Sequence, residues 1–222
     1  MRAFQVTGFD RKPSIAEIER PAPAQGQVLL QIHACGLNFA DLLMAKGTYQ
    51  DTPKPPFSLG MEVCGTVVAL GEGVTSPAIG ARVAVFGGDG GLADYGVFPA
   101  ANCLVVPDSM SSEIAAGFYV AYGTSHLALT DRARLQAGET LLVHGASGGV
   151  GMAAIDVGKL LGATVIATGG SDEKLAKVKA YGADHVINTA DGFRETVKDL
   201  TGGRGADVVY DPVGGDIFDE SV

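Results

Sequence analysis

Residues 140–151 read Thr140-Leu141-Leu142-Val143-His144-Gly145-Ala146-Ser147-Gly148-Gly149-Val150-Gly151. The first four form a short apolar run suited to a buried strand. The chain then enters a glycine-rich turn, after which Val150, Ala154, Val157 and Leu161 return at helical spacing. Strand, glycine turn and helix in that order lift a glycine motif above chance. Gly148 is expected to let the backbone approach a pyrophosphate, and Gly151 to let the helix lie close on the strand. The free N–H groups of the helix start, helped by its dipole, would face the anion. Ala146 stands where G-x-G-x-x-G has its first glycine, with an extra Gly145 before it. Ala146, Ser147, Gly148, Gly149 and Val150 are therefore the expected phosphate-binding residues.

Composition narrows what such a turn can serve. With 222 residues, 46% of them hydrophobic, the chain can bury a core of one or two domains. A net charge of -9 argues against nucleic-acid binding, which needs a basic face. Residues 1–20 hold no long apolar segment, and no apolar run is long enough to span a bilayer. Cys35, Cys64 and Cys103 are odd in number and widely spaced, as reduced thiols would be. The expectation is a soluble cytoplasmic protein that engages neither nucleic acid nor membrane.

Outward from the turn, the period of the sequence changes once. Residues 1–106 read as short strands (3–7, 15–19, 28–34, 61–70, 82–86 and 95–98), punctuated by Gly and Pro. Residues 38–46 read as a short helix, and 51–57, rich in Pro and Lys, as irregular. From Pro107 onward helices appear. Residues 113–129 read as helical but broken around Gly123, which places a domain boundary there: 1–123 and 124–222. Strands at 140–143, 164–168, 185–188 and 207–210 then alternate with helices at 150–161, 172–180 and 192–200. Such alternation predicts an α/β parallel sheet with helices on both faces.

Gly36-Leu37-Asn38-Phe39-Ala40-Asp41, Gly47-Thr48-Tyr49, Gly60-Met61-Glu62 and residues 143–151 together resemble the medium-chain dehydrogenase/reductase superfamily, within it the zinc-independent, zeta-crystallin-like quinone oxidoreductases. The resemblance implies an N-terminal GroES-like β domain followed by a Rossmann doubly wound sheet. It implies NADPH-dependent reduction of a small-molecule quinone or α,β-unsaturated carbonyl, and a homodimer when full length. Asn38, Tyr49 and Thr124 match positions lining the nicotinamide and substrate cleft, which makes them the catalytic candidates.

Zinc-dependent relatives place a cysteine at position 38 and a histidine at position 61. This chain has Asn38 and Met61, poor zinc ligands, so no metal is expected. At the tip of the second strand, where NAD-users put an acid, this chain has Gly169 followed by Gly170 and Ser171. Room for a 2′-phosphate, with Lys174 matching a phosphate-binding lysine of the relatives, favours NADPH. Asp172 and Glu173 bring opposing charge nearby, and Thr189 replaces a family tyrosine. An acryloyl- or enoyl-thioester reductase, and a crystallin-like cofactor-binding protein without catalysis, are the alternatives. The fourth strand, 207–210, is apolar and near the chain's end, so the Rossmann sheet is expected to lack its last strands and to leave that strand as an open edge.

Overall fold

The computed structural model describes residues 1–222, the side chain of Asp191 excepted. The chain divides into two compact units, Met1–Val120 and Ala121–Val222.

In the first unit, strands β1 (Arg2–Val6), β2 (Ser14–Glu17), β3 (Gln27–Gly36), β4 (Phe57–Ser58), β5 (Glu62–Leu70), β6 (Arg82–Phe86), β7 (Tyr95–Pro99) and β8 (Leu104–Val105) form two antiparallel sheets. Their orders are β2-β1-β4 and β7-β3-β5-β6-β8. Alternate residues of the larger sheet, among them Val28, Leu30, Val63, Val67, Val83 and Val85, close over Phe98 in one core. A register shift between Ile32 and Ala34 sets Gly36, the last residue of β3, opposite Glu62, the first of β5. Helix α1 (Phe39–Met44) follows at once. The two-residue strands β4 and β8 are too short to show a period-2 pattern, and only their pairing reveals them.

Helix α2 (Ser112–His126) carries the chain from one unit into the next. It runs unbroken through Gly123, correcting the interruption expected there. A glycine inside a helix costs about 1 kcal/mol, too little to end a helix whose next turn is held by the Ser125 hydroxyl donating to the Val150 carbonyl at 2.9 Å.

The second unit is built on four parallel strands: β9 (Thr140–Val143), β10 (Thr164–Gly169), β11 (His185–Asn188) and β12 (Val208–Tyr210). Their order is β11-β10-β9-β12, with β12 at an edge. Helices α3 (Gly149–Leu160), α4 (Asp172–Tyr181), α5 (Arg194–Leu200) and α6 (Asp216–Ser221) complete it. Strand residues alternate faces. Leu141, Val143, Val165 and Ala167 pack with Ile155 of α3 and Val178 of α4. Leu142, Ile166 and Ile187 pack with Phe193 and with Val197 of α5, Ile217 of α6 lying partly buried against them. Both faces of the sheet are therefore covered, which is why its strands read as continuous apolar runs.

Candidate functional site

The turn between β9 and α3 is built almost entirely from backbone. Gly145 adopts a left-handed φ of 56°, and its carbonyl accepts the Gly148 N–H at 3.0 Å. The Ala146 N–H donates to the Thr168 carbonyl at 3.1 Å, tying the turn to the end of β10. A Cβ on Gly151 would lie 2.6 Å from the Gly145 oxygen and 2.8 Å from the Ala146 Cα, so α3 can approach the turn only with glycine there. Ala146 is buried, while Ser147, Gly148 and Gly149 are exposed. Gly148 caps α3 and makes no side-chain cap bond. The N–H groups of Gly149, Val150 and Gly151 thus have no intrahelical acceptor and point out of the helix start. A Cβ on Gly149 would meet nothing within 4 Å, so the backbone there is open to a ligand. A helix start of this geometry is suited to an anion.

Gly170 at the tip of β10 is likewise exposed, with nothing within 4 Å of an added Cβ. Beside it a cavity of about 190 Å³ is lined by Gly145, Thr168, Gly170, Thr189 and Val213, among others. Ser171 caps α4 without a side-chain cap bond. Lys174, in the first turn of α4, is exposed and has no ion pair among the described residues. The two acids that precede it are engaged elsewhere. Asp172 accepts from Asn188 at 2.6 Å, and Glu173 pairs with Lys177 at 2.9 Å.

His144, the residue between strand and turn, is fully buried. Its Nδ1 lies 2.7 Å from the Thr168 hydroxyl and its Nε2 3.0 Å from the Ser221 hydroxyl. Its ring packs on Phe193 at 4.7 Å. Burial pushes its pKa down, against the pull of Asp211 and Glu220. This side-chain lock bridges β9, β10 and α6. The partners lie 24 and 77 residues away, beyond any local pattern.

The first unit holds a centre of the opposite construction. Asn38 occupies the N-cap of α1, and its side-chain Nδ2 donates outside the helix, to Glu62 Oε1 at 2.9 Å. Glu62 Oε2 accepts the Val120 N–H of α2, also at 2.9 Å. Asp41 holds the backbone around it, accepting the Asn38 N–H at 2.8 Å and the Gly60 N–H at 3.0 Å. Both carboxylates are buried, with 3% and 5% exposure, and neither has an ion pair among the described residues. Amide and backbone donors replace the lost water, as a buried charge requires. Neither acid is among the site residues expected from the sequence. The available signal was a charge opening the apolar run at 61–70.

Tyr49 is half-buried and packs against the cluster of Val6, Met44, Phe57, Leu59 and Met61. Thr124 is exposed on α2, within the second unit. Cys35 is half-buried, and burial pushes its thiol up to about 12, leaving it protonated and a poor nucleophile or ligand. Around Glu62 the donors are an amide at position 38 and, at position 61, a thioether committed to the apolar cluster. No group of three His, Cys, Asp or Glu side chains among the described residues is arranged to hold a metal. The set does not fit catalytic zinc.

An antiparallel β unit followed by a parallel sheet with a glycine turn at its first strand defines a class: the GroES-like plus Rossmann architecture of dehydrogenases and reductases. Residues 24–108 match the "Alcohol dehydrogenase GroES-like domain" family, and residues 149–222 the "Zinc-binding dehydrogenase" family. A quinone oxidoreductase-like protein 2 from Bos taurus is 40% identical over 215 residues, covering 96% of this chain and 62% of its own. A mycobacterial protein solved in complex with NADPH is 35% identical with a TM-score of 0.91, covering all of this chain and 70% of that one. A quinone oxidoreductase from Pseudomonas syringae pv. Tomato DC3000 is 36% identical with a TM-score of 0.90, covering 99% and 69%. The chain belongs to the medium-chain dehydrogenase/reductase superfamily, in its quinone-oxidoreductase group. It spans between 53% and 64% of the length of the quinone oxidoreductase-like relatives. No helix among the described residues is long and apolar enough to cross a membrane.

Proposed function

We propose that this chain contributes the cofactor site and part of the substrate site of an NADPH-dependent oxidoreductase that reduces quinones or α,β-unsaturated carbonyls without zinc. The observation that supports it most is the open helix start at Gly148–Gly149, facing the same strand ends as the vacant tip at Gly170. The N–H groups of Gly149, Val150 and Gly151 would hold the pyrophosphate, with Ala146 and Ser147 shaping the turn. Gly170 and Ser171 leave room at the ribose, and Lys174 would pair with the 2′-phosphate. Its competitors Asp172 and Glu173 are already bonded to Asn188 and Lys177.

When bound, NADPH supplies the hydride. The chain's own residues then bind and orient. Asn38 Nδ2 carries a second proton, which would donate to the substrate oxygen. Tyr49, of the same unit, would complete the polar lining there, and solvent would supply the proton that follows. A conjugated carbonyl or quinone is polarised before it binds and does not need the Lewis acid that alcohol oxidation takes from zinc. Titration of the purified protein with NADPH and NADH, followed by cofactor fluorescence, tests the reading. Tighter binding of NADPH, with its oxidation by a simple quinone, is expected. Equal affinities would remove the role given to Lys174.

A further inference from the structure

The bonds around Asn38 carry a step beyond that reading and rest on it. We infer that Glu62 is the positioning residue of the site: it fixes which way the Asn38 amide faces and thereby presents one N–H to the substrate oxygen. The orientation follows from donors and acceptors. Glu62 Oε1 accepts from Nδ2 at 2.9 Å. Turning the amide over would set Oδ1 against Oε1, two acceptors with no proton between them. Glu62 itself has no freedom to follow. Its other oxygen holds the Val120 N–H at 2.9 Å, and Gly36 closes the remaining side, where a Cβ would lie 2.6 Å from Oε1 and 2.5 Å from the Ala116 carbonyl. The backbone of Asn38 is pinned independently by Asp41 at 2.8 Å. Main chain and side chain are thus held by two different buried acids, and the second Nδ2 proton is the one donor left for a ligand.

Glu62→Gln keeps the shape but offers one acceptor: with Oε1 on the Val120 N–H, its Nε2 faces Asn38, whose amide then loses its partner or turns over to accept through Oδ1, freeing both Nδ2 protons. In the ¹⁵N spectrum of the whole chain, one Asn38 side-chain proton should exchange slowly in the unaltered protein and quickly in Glu62→Gln. Quinone turnover with NADPH should fall about tenfold in kcat, the weight of one lost bond to a charged group, with little change in KM. In an Asn38→Ala background, Glu62→Gln should cost nothing further, because Glu62 acts through Asn38. Fast exchange of both Asn38 protons in the unaltered protein would overturn the inference whether or not any variant folds. So would an unchanged Asn38 signal in Glu62→Gln, or losses that multiply in the double variant. Absence of quinone turnover in the unaltered protein would sink the reaction instead, and the Asn38 spectrum would still decide the role of Glu62.

Discussion

The glycine turn of the second unit and the Asn38–Glu62 cluster of the first meet the same demand by opposite means. In the proposed function each offers N–H donors to a ligand's negative charge. The turn does so by leaving side chains out: Gly148, Gly149 and Gly151 expose or compact a backbone whose donors exist in any sequence. The cluster does so by putting side chains in: two buried carboxylates orient an asparagine. A site made of backbone is sensitive to added bulk and indifferent to charge. A site made of side chains is sensitive to the loss of a single partner.

The largest effect should come from adding bulk to the turn. Gly151→Val places atoms against the Gly145 oxygen and Ala146 Cα, neither of which can rotate away. Overpacking of this kind costs about 1–3 kcal/mol or more. Melting of the second unit should fall by several degrees, with NADPH binding lost. A variant that binds NADPH normally would break the comparison at its simplest point.

A second effect comes from the side-chain lock beside the turn. Burial holds the His144 pKa below the ordinary 6.5. The unfolded chain therefore takes up the proton first as pH falls, and stability is full above about 6.5 and declines below it. Denaturant unfolding between pH 8 and pH 5 should show this decline, and His144→Asn should flatten it. An unchanged slope in that variant would show that other groups set the pH dependence.

Lys174→Ala should be milder still for the fold and specific for the ligand. An exposed lysine in the first turn of α4 should leave melting unchanged. A lost hydrogen bond to phosphate, worth about 1.5–3 kcal/mol, should weaken NADPH binding tenfold or more and leave NADH binding alone. Equal losses for both cofactors would assign Lys174 to the pyrophosphate. The smallest expected effect is none: treatment with a zinc chelator should change neither melting nor turnover, and elemental analysis should find no stoichiometric zinc. One zinc per chain with chelator-sensitive turnover would place a metal among donors that do not suit it.

What the sequence determined by itself was whatever depends on neighbours in the chain. Apolar runs flanked by Gly and Pro marked β9, β11 and β6 to the residue, and strand–helix alternation marked the parallel sheet. The glycine turn was legible for the same reason: its tightest bond, Gly148 N–H to the Gly145 carbonyl, spans three residues, and a missing Cβ is visible in one letter of sequence. The tertiary structure decided the rest. It carried α2 through Gly123, because contacts across the fold outweigh about 1 kcal/mol of local propensity. It buried His144 between Thr168 and Ser221. It tied the Asn38 amide to Glu62, because a register shift in β3 brings together residues 24 apart. Local preference reads a few kilocalories over a few residues, whereas a buried carboxylate takes its donors wherever packing delivers them.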